Sequence, residues 1–270
     1  MLTRLLLPCI VLLAALGFSR GVLAQTRLFT DSYQYEGCDE AIVKSVGDHF
    51  KLDHFSDRLV TNQCKPWPTD KSRMIAAFAY HAGEVTYDSI EDRGFRRILL
   101  VLTLVDTKNK KIISSYKDVI EEDGSIRLEK LMIDTARYRL SQTTRAFALR
   151  LNIFPYMPGA DGEMAEDLNL FVISGKELRP VLGNVMNRYW FINGKSGGGY
   201  PEGEEPQTVD ANILISVEKT STNGFADLRF SVKSNANKKP PSMVVKYNGE
   251  NYDLTAWNNA FDTWWMSVLP

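Results

Sequence analysis

The stretch RILLVLTLVDTKNKKIISSY, residues 97–116, decides the fold that the sequence predicts. Its first half, Arg97–Val105, is rich in Ile, Leu and Val, and Ile112–Tyr116 is a second β-prone run. The polar residues Asp106–Lys110 separate the two runs. Two such runs joined by a short polar segment are typical of an antiparallel hairpin.

The same arrangement recurs downstream, where pairs of β-prone runs are joined by polar or Gly-containing turns. Three further pairs lie at Leu131–Ile153, Leu168–Leu182 and Ala211–Val232, and Arg188–Ile192 predicts one more strand. The sequence has no long alternating series of strands and helices. Hairpins at short intervals therefore predict a mainly β fold of antiparallel hairpins, arranged as a sandwich or as a propeller-like stack.

The strongest local signal for a turn is the dipeptide Asn248-Gly249. It lies between the short β-prone runs Met243–Tyr247 and Tyr252–Leu254. Asn and Gly both accept a positive φ, which a type I′ turn requires at its two central positions. The sequence therefore predicts a type I′ hairpin at this dipeptide.

Two segments have the periodicity of helices. Asp39–Phe50 predicts a short N-terminal helix, because its apolar residues recur at intervals that place them on one stripe. The C-terminal tail has aromatic residues at helical intervals, namely Trp257, Phe261, Trp264 and Trp265. We interpret this tail as a short helix that closes the hydrophobic core.

The first residues have the order of a secretory signal peptide. Arg4 supplies a positive start, Leu5–Leu16 is an apolar run, and Val22-Leu23-Ala24 offers compact residues before a cleavage point. We therefore predict that residues 1–24 are removed, that the mature chain begins at Gln25, and that it is periplasmic or secreted.

Composition excludes some classes of partner. The chain is 44% hydrophobic and 24% charged, with a formal net charge of -1, which is ordinary for a globular protein. Its basic residues do not cluster as a nucleic-acid-binding face requires. After residue 24, no apolar run approaches the length of a membrane-spanning helix. We predict neither nucleic-acid binding nor a membrane span in the mature chain.

Cys38 and Cys64 are the two cysteines of the predicted mature chain. In an oxidising compartment, such a pair most simply forms one disulfide. The alternative of a redox or metal-binding pair is disfavoured, because the chain has no CxxC motif. Trp67, between two prolines, follows Cys64 closely and predicts a stiff connector with its indole anchored in the core.

These signals divide the chain into five parts. They are a signal peptide (1–24), a disulfide-clipped helical segment (25–70), an antiparallel β region (71–192), a Gly/Pro-rich loop (193–207), and C-terminal hairpins with a Trp-rich tail (208–270). The loop contains five Gly and two Pro and predicts an exposed connection. Its Gly194-Lys195-Ser196 precedes most of the glycines, which is the reverse of the order in a phosphate-binding loop.

The histidines form no recognised catalytic or metal-binding motif. The three histidines are His49, His54 and His81. The first two are not at the i,i+4 spacing that places two metal ligands on one helical face, and the sequence has no HExxH motif. Nearby aspartates leave a weak metal site conceivable, but a solvated helix face explains the same residues. We predict no metal site and no cofactor.

Arginines are the better candidates for a binding surface. Arg137 and Arg139 share one face of a predicted strand, with Tyr138 and Leu140 on the other, because side chains alternate along a strand. The alternative is an ordinary solvated sheet face. Tyr200 is a second candidate, as an exposed aromatic residue in the Gly-rich loop. The nearby Tyr189 and Trp190 are better explained by core packing.

The absence of a recognisable nucleophile, metal cluster or cofactor motif favours a non-catalytic role. We expect an exported binding protein of the cell envelope whose partner is another protein or an envelope glycan. An inhibitor or immunity-type protein fits this class. The alternative is a hydrolase of envelope polymers, which would use paired carboxylates that are distant in the sequence.

Overall fold

The computed structural model describes residues 37–52, 54–82, 96–122, 126–155, 162–193 and 207–269. The predicted signal peptide (1–24) lies outside these residues. So do residues 194–206 of the predicted loop, among them the candidate binding residue Tyr200.

The described part of the chain contains eleven strands and two helices. In chain order they are α1 (Glu40–Phe50), β1 (Leu59–Pro66), β2 (Arg73–His81), β3 (Arg96–Asp106), β4 (Ile112–Glu122), β5 (Ile126–Asp134), β6 (Phe147–Pro155), β7 (Gly162–Ser174), β8 (Glu177–Asn193), β9 (Gln207–Thr222), β10 (Phe225–Ser234), β11 (Ser242–Val245) and α2 (Thr255–Met266). The prediction of a mainly β fold with a short N-terminal helix is confirmed.

Eight strands form a mixed sheet that is nearly closed into a barrel. Their order is β1-β2-β3-β4-β8-β7-β6-β5, and neighbours are antiparallel except at β4 and β8, which pair in parallel at Ser115 and Glu177. The two ends of this series meet, because Lys65 Nζ of β1 donates to the carbonyl oxygen of Ile133 in β5 (3.0 Å). The N–H of Ile133 in turn donates to Gln63 Oε1 (2.5 Å).

Strands β9, β10 and β11 extend the sheet into a second layer. The end of β8 pairs with the start of β9, with Asn193 opposite Gln207, and β10 pairs with both β9 and β11. The core between this layer and the barrel contains Leu170, Val181, Leu228 and Phe230, all fully or almost fully buried. The fold is therefore a sandwich-like arrangement, one of the two that the sequence predicts.

Strand β2 is buried on both faces, which explains why its sequence is a continuous apolar run. Its residues Ile75, Ala77 and Ala79 belong to the barrel interior. The alternate residues Ala76 and Phe78 pack beneath α1.

Helix α1 is held at its start by a side-chain cap and by the disulfide. Asp39 Oδ1 accepts a hydrogen bond from the N–H of Ile42 (2.8 Å). Cys38 and Cys64 form the predicted disulfide, with their Cα atoms 4.9 Å apart. Cys64 itself lies in a strand, β1, that was not predicted, and the strand ends at Pro66, where the predicted connector begins. Trp67 is buried as predicted and packs edge-on against Phe147, with ring centroids 5.8 Å apart.

The predicted hairpins form, but two of the predicted strands differ from the structure. The strand that begins before Leu131 ends at Asp134, where the carboxylate of Asp134 accepts a hydrogen bond from the N–H of Ala136 (2.8 Å) and turns the chain. The predicted separate strand Arg188–Ile192 is the continuation of β8.

The type I′ turn occurs at a different Asn-Gly dipeptide from the one predicted. Asn223 and Gly224 both have a positive φ, 50° and 89°, between the paired ends of β9 and β10. At Asn248-Gly249, only Gly249 has a positive φ, so the prediction of a type I′ turn there is wrong. Asn248 Oδ1 instead accepts the N–H groups of Glu250 and Asn251 (2.8 Å each), which produces a wider loop.

The predicted aromatic helix of the tail is α2. Its Trp257, Phe261 and Trp264 are buried against the second layer, and Trp264 Nε1 donates to the carbonyl oxygen of Lys238 (3.2 Å). Within the described residues, no helix is long and apolar enough to cross a membrane.

Candidate functional site

The two candidate arginines lie on an irregular segment just after β5. Arg137 and Arg139 are exposed, while Tyr138 and Leu140 are buried, so the predicted alternation holds although the regular strand has already ended. Arg139 lines a groove and Arg137 does not. The two exposed arginines therefore have different surroundings, because only Arg139 lies at a groove.

The groove lies between the tips of two hairpins and has a volume of about 510 Å³. One wall is Arg139–Gln142, and the other wall is Lys219–Ser221 together with Gly224 and Ala226. We call it the hairpin-tip groove.

The first wall is a tight turn that its own backbone and side chains hold. The N–H of Ala146 donates to the carbonyl oxygen of Tyr138 (2.8 Å), which closes the turn at its base. Ser141 Oγ accepts the N–H groups of Thr143 and Thr144 (3.2 and 2.9 Å). This side-chain turn fixes the backbone on either side of Gln142.

The second wall is the tip of the β9–β10 hairpin, whose type I′ turn is tied to the rest of the fold. Asn223 Nδ2 donates to the carbonyl oxygen of Tyr247 (2.9 Å). The pairing of β9 with β10 shifts between Ala226 and Leu228. The N–H of Ala226 donates to the carbonyl oxygen of Leu140 (2.6 Å), so a backbone hydrogen bond joins the two walls.

Two cations line the groove without a counter-ion. Arg139 and Lys219 are exposed, and neither side chain makes an ion pair or a hydrogen bond with another residue that the structure describes. Glu218, next to Lys219, is paired with Arg229. None of the described residues that line the groove is acidic, and Asp227, which follows Ala226, is buried. The groove is therefore a cationic site with free donors.

A second polar cluster, beneath the first wall, has its charges satisfied internally. Arg150 donates through Nη2 to Asp134 Oδ2 (2.9 Å) and through Nη1 to Glu166 Oε2 (3.4 Å). The hydroxyl of Tyr138 also donates to Asp134 Oδ2 (3.1 Å). Asn187 Nδ2 donates to Glu166 (3.3 Å). This cluster positions the segment that carries Arg139.

The pKa values in this cluster follow from burial and pairing. Burial alone would raise the pKa of Asp134, but the N–H of Ala136 and the Arg150 guanidinium hold it below its ordinary value. Burial, together with the charge of Asp134, raises the pKa of Tyr138 to about 12. Both Asp134 and Glu166 bind one guanidinium, so this pair of carboxylates lacks the free acid and free base that glycoside hydrolysis requires.

Asp167 is a buried carboxyl group away from the groove. It lies opposite Leu151, which belongs to the barrel interior, so it shares that face. Asn169 Nδ2 donates to Asp167 Oδ2 (2.9 Å), while Oδ1 has no hydrogen-bond partner among the described residues. Burial raises the pKa of Asp167.

The other residues that the sequence singled out lie apart from the groove. Tyr189 packs against Phe261 and Trp265, with ring centroids 4.6 and 5.7 Å apart, as the core-packing interpretation predicts. Both His54 and Asp57 are exposed on the surface, with Nδ1 of His54 3.8 Å from Oδ2 of Asp57. Among the described residues, no three His, Cys, Asp or Glu side chains are placed to hold a metal ion.

The sequence analysis missed the second wall of the groove. Lys219, Thr220 and Ser221 have no motif of their own, and they lie far from Arg139 in the chain. The turn dipeptide Asn223-Gly224 was the available signal, because it predicts that the residues before it reach a hairpin tip.

Comparison with known proteins adds no relationship. The chain matches no protein-family model, no curated protein and no solved structure.

Proposed function

We propose that this chain is an exported, non-catalytic binding protein of the cell envelope, and that the hairpin-tip groove binds an anionic part of its ligand. The observation that carries the proposal is the presence of two unpaired cations, Arg139 and Lys219, in one groove. Hydrogen bonds from a charged donor to an anion are about twice as strong as neutral ones.

The construction of the groove supports binding. Both walls are backbone turns fixed by hydrogen bonds, and the bond between Ala226 and Leu140 sets their separation. A site that is already ordered loses less conformational entropy when its ligand binds. The groove is therefore suited to hold a ligand in one orientation.

Two features support export. Residues 1–24 have the order of a signal peptide. The disulfide between Cys38 and Cys64 is compatible with an oxidising compartment.

A non-catalytic role agrees with the chemistry of the groove. Among the described residues that line it, none has a carboxylate, imidazole or thiol that could transfer a proton or attack a bond. The partner is expected to be another protein or an envelope glycan, and an inhibitor or immunity-type protein remains one form of this class.

The test is a comparison of matched double variants of the mature chain. Arg139→Ala/Lys219→Ala removes both groove cations, while Arg137→Ala/Lys233→Ala removes two exposed cations outside the groove. Binding to two anionic polymers, polygalacturonate and polyglutamate, is measured by titration calorimetry at low ionic strength. We expect the groove variant to lose at least about tenfold in affinity for a polymer that the wild type binds.

The control variant is expected to bind as the wild type does, because it keeps both groove cations. Its net charge changes by the same amount as that of the groove variant, so the comparison corrects for general charge attraction. Equal losses in the two variants would show that only net charge matters and would overturn the proposed site. So would a wild-type chain that binds neither polymer. Circular dichroism checks that both variants are folded.

A further inference from the structure

We infer that the ligand of the hairpin-tip groove is an acidic glycan, a sugar chain that carries carboxylate or phosphate groups, rather than an acidic stretch of protein. This inference rests on the proposed function, because it presupposes that Arg139 and Lys219 bind an anion. It is carried by the other side chains that line the groove and by the size of the groove.

Neutral polar side chains make up much of the remaining lining. They are Ser141, Gln142, Thr220 and Ser221. Gln142, Thr220 and Ser221 are exposed, and within the described residues none of their side chains makes a hydrogen bond. Hydroxyl and carboxamide groups both donate and accept hydrogen bonds. They therefore match the hydroxyl groups of a sugar, which also do both.

Apart from Arg139, the described lining of the groove lacks the side chains that anchor a protein partner. Binding energy in protein interfaces concentrates on Trp, Tyr and Arg side chains that fill desolvated pockets. In the described part of the chain, no aromatic side chain lines the groove, and the apolar residues that line it are the buried Leu140 and the small Ala226. Of the large apolar side chains that the structure records as exposed, Val119, Leu214 and Met266, none lines the groove.

The size of the groove also fits a small segment of a polymer. Its volume of about 510 Å³ lies within the range of about 300–1,000 Å³ that is usual for small-ligand sites. A stable protein interface instead needs a surface of roughly 800 Å² on each partner. A few sugar units would fill the groove, with the charged groups at Arg139 and Lys219 and the hydroxyls between them.

The experiment separates the charge of the polymer from its hydroxyl groups. Mature wild-type chain is titrated with polygalacturonate and phosphomannan, which are acidic glycans, with neutral dextran, and with polyglutamate, which has carboxylates but no sugar. We expect at least one acidic glycan to bind at least about tenfold more tightly than polyglutamate, and dextran more weakly than either glycan. The preferred glycan identifies carboxylate or phosphate as the charged group.

A variant that removes the neutral polar side chains of the groove tests whether these side chains recognise the hydroxyl groups of a sugar. Gln142→Ala/Thr220→Ala/Ser221→Ala keeps both cations. We expect it to lose about tenfold or more in affinity for the acidic glycan, and to keep its affinity for polyglutamate within about twofold. Ser216→Ala/Asn258→Ala, at exposed positions outside the groove, is the control and should bind both polymers as the wild type does.

The outcomes distinguish the two proposals. If polyglutamate binds as tightly as the acidic glycans and the triple variant changes neither, the ligand is recognised by charge alone, and the glycan inference falls while the anionic site stands. If dextran binds as tightly as the acidic glycans, or if no polymer binds, the proposed anionic site falls as well.

Discussion

The carboxyl group of Asp167 is buried with one of its two oxygens, Oδ1, lacking a hydrogen-bond partner among the described residues. Burial raises its pKa above the ordinary value of 3.8. The folded state therefore holds this proton more tightly than the unfolded state does. As the pH rises from below 3.8 through the raised pKa, ionisation of Asp167 lowers the stability of the fold.

We expect Asp167→Asn to raise the free energy of unfolding near neutral pH by about 1 kcal/mol, the order of the desolvation cost of a buried polar group, because the amide cannot ionise and so avoids burying a negative charge. The amide resembles the protonated acid, so near about pH 3 the variant and the wild type should be equally stable. Urea unfolding at several pH values measures the difference.

Glu129→Gln provides the control, because Glu129 lies on β5 but is exposed. It should change the stability little at any pH. A stability difference for Asp167→Asn that does not vary with pH, or a loss of stability at neutral pH, would contradict the assigned cause.

At this same scale, the sequence pointed to one of the residues that line the groove, Arg139. Arg139 was selected by alternation along the chain, which identifies residues that share a face. Lys219 was not selected, because it reaches the groove through the contact between two hairpin tips. The hydrogen bond between Ala226 and Leu140 that makes this contact has no signature in either segment alone.

At the scale of elements, helix α1 depends on its attachments. It has eleven residues, which is marginal for a helix in isolation. Ile42 and Val46 are buried against the barrel, and the disulfide links the residue before its N-cap to β1. The covalent link restricts the unfolded chain over the segment between Cys38 and Cys64.

We expect Cys38→Ser/Cys64→Ser to lower the free energy of unfolding by about 3 kcal/mol, in the entropic account of loop closure. Urea unfolding of the double variant measures this value. The wild type treated with reductant is the control, since it loses the same bond without a substitution, and it should unfold at a similarly lowered urea concentration. Reductant that leaves the wild-type midpoint unchanged would contradict the prediction.

Local patterns predicted most elements and misassigned a few. Long runs such as β3 were recognised because both faces are buried and the composition is strongly apolar. Strand β1 was missed because its sequence, LVTNQCKP, is largely polar and its residues are partly buried. The predicted turn type at Asn248 was wrong because the side chain of Asn248 accepts a hydrogen bond from the backbone N–H of Glu250. Such a side-chain bond favours a different loop conformation, and the dipeptide alone does not reveal it.

At the scale of the whole molecule, the segment 194–206 joins two strands that already pair with each other. The ends of β8 and β9 are in register from Arg188 with Asn212 to Asn193 with Gln207. Beyond β9, the second layer and α2 bury large side chains such as Phe230 and Trp257 against the rest of the fold. These contacts do not require a continuous chain between residues 194 and 206.

We therefore expect a chain cut in this segment to remain one particle. A specific protease site is inserted between Ser196 and Gly197, and the purified protein is cleaved. Gel filtration without denaturant should show a single species of the original size, while a denaturing gel shows two pieces. The same chain without the inserted site is the control. Two separate species under native conditions would contradict the prediction.

The sequence allowed the fold class to be predicted, but not the order in which the strands pair. Hairpins along the chain indicate a mainly β protein, but the parallel contact between Ser115 and Glu177 joins distant segments through one residue pair. The closure between β1 and β5 rests on Gln63 and Lys65, whose side chains bond to the backbone of Ile133. Such contacts depend on the curvature of the whole sheet, which no local pattern encodes.

The two walls of the hairpin-tip groove belong to different layers, since the first wall follows β5 of the barrel and the second is the tip of β9 and β10. A ligand that contacts both walls therefore also holds the layers together. By thermodynamic reciprocity, whatever tightens the packing of the layers also increases the affinity of the groove. If the groove binds its ligand as proposed, the aromatic helix at the end of the chain would therefore contribute to the affinity, although it does not line the groove.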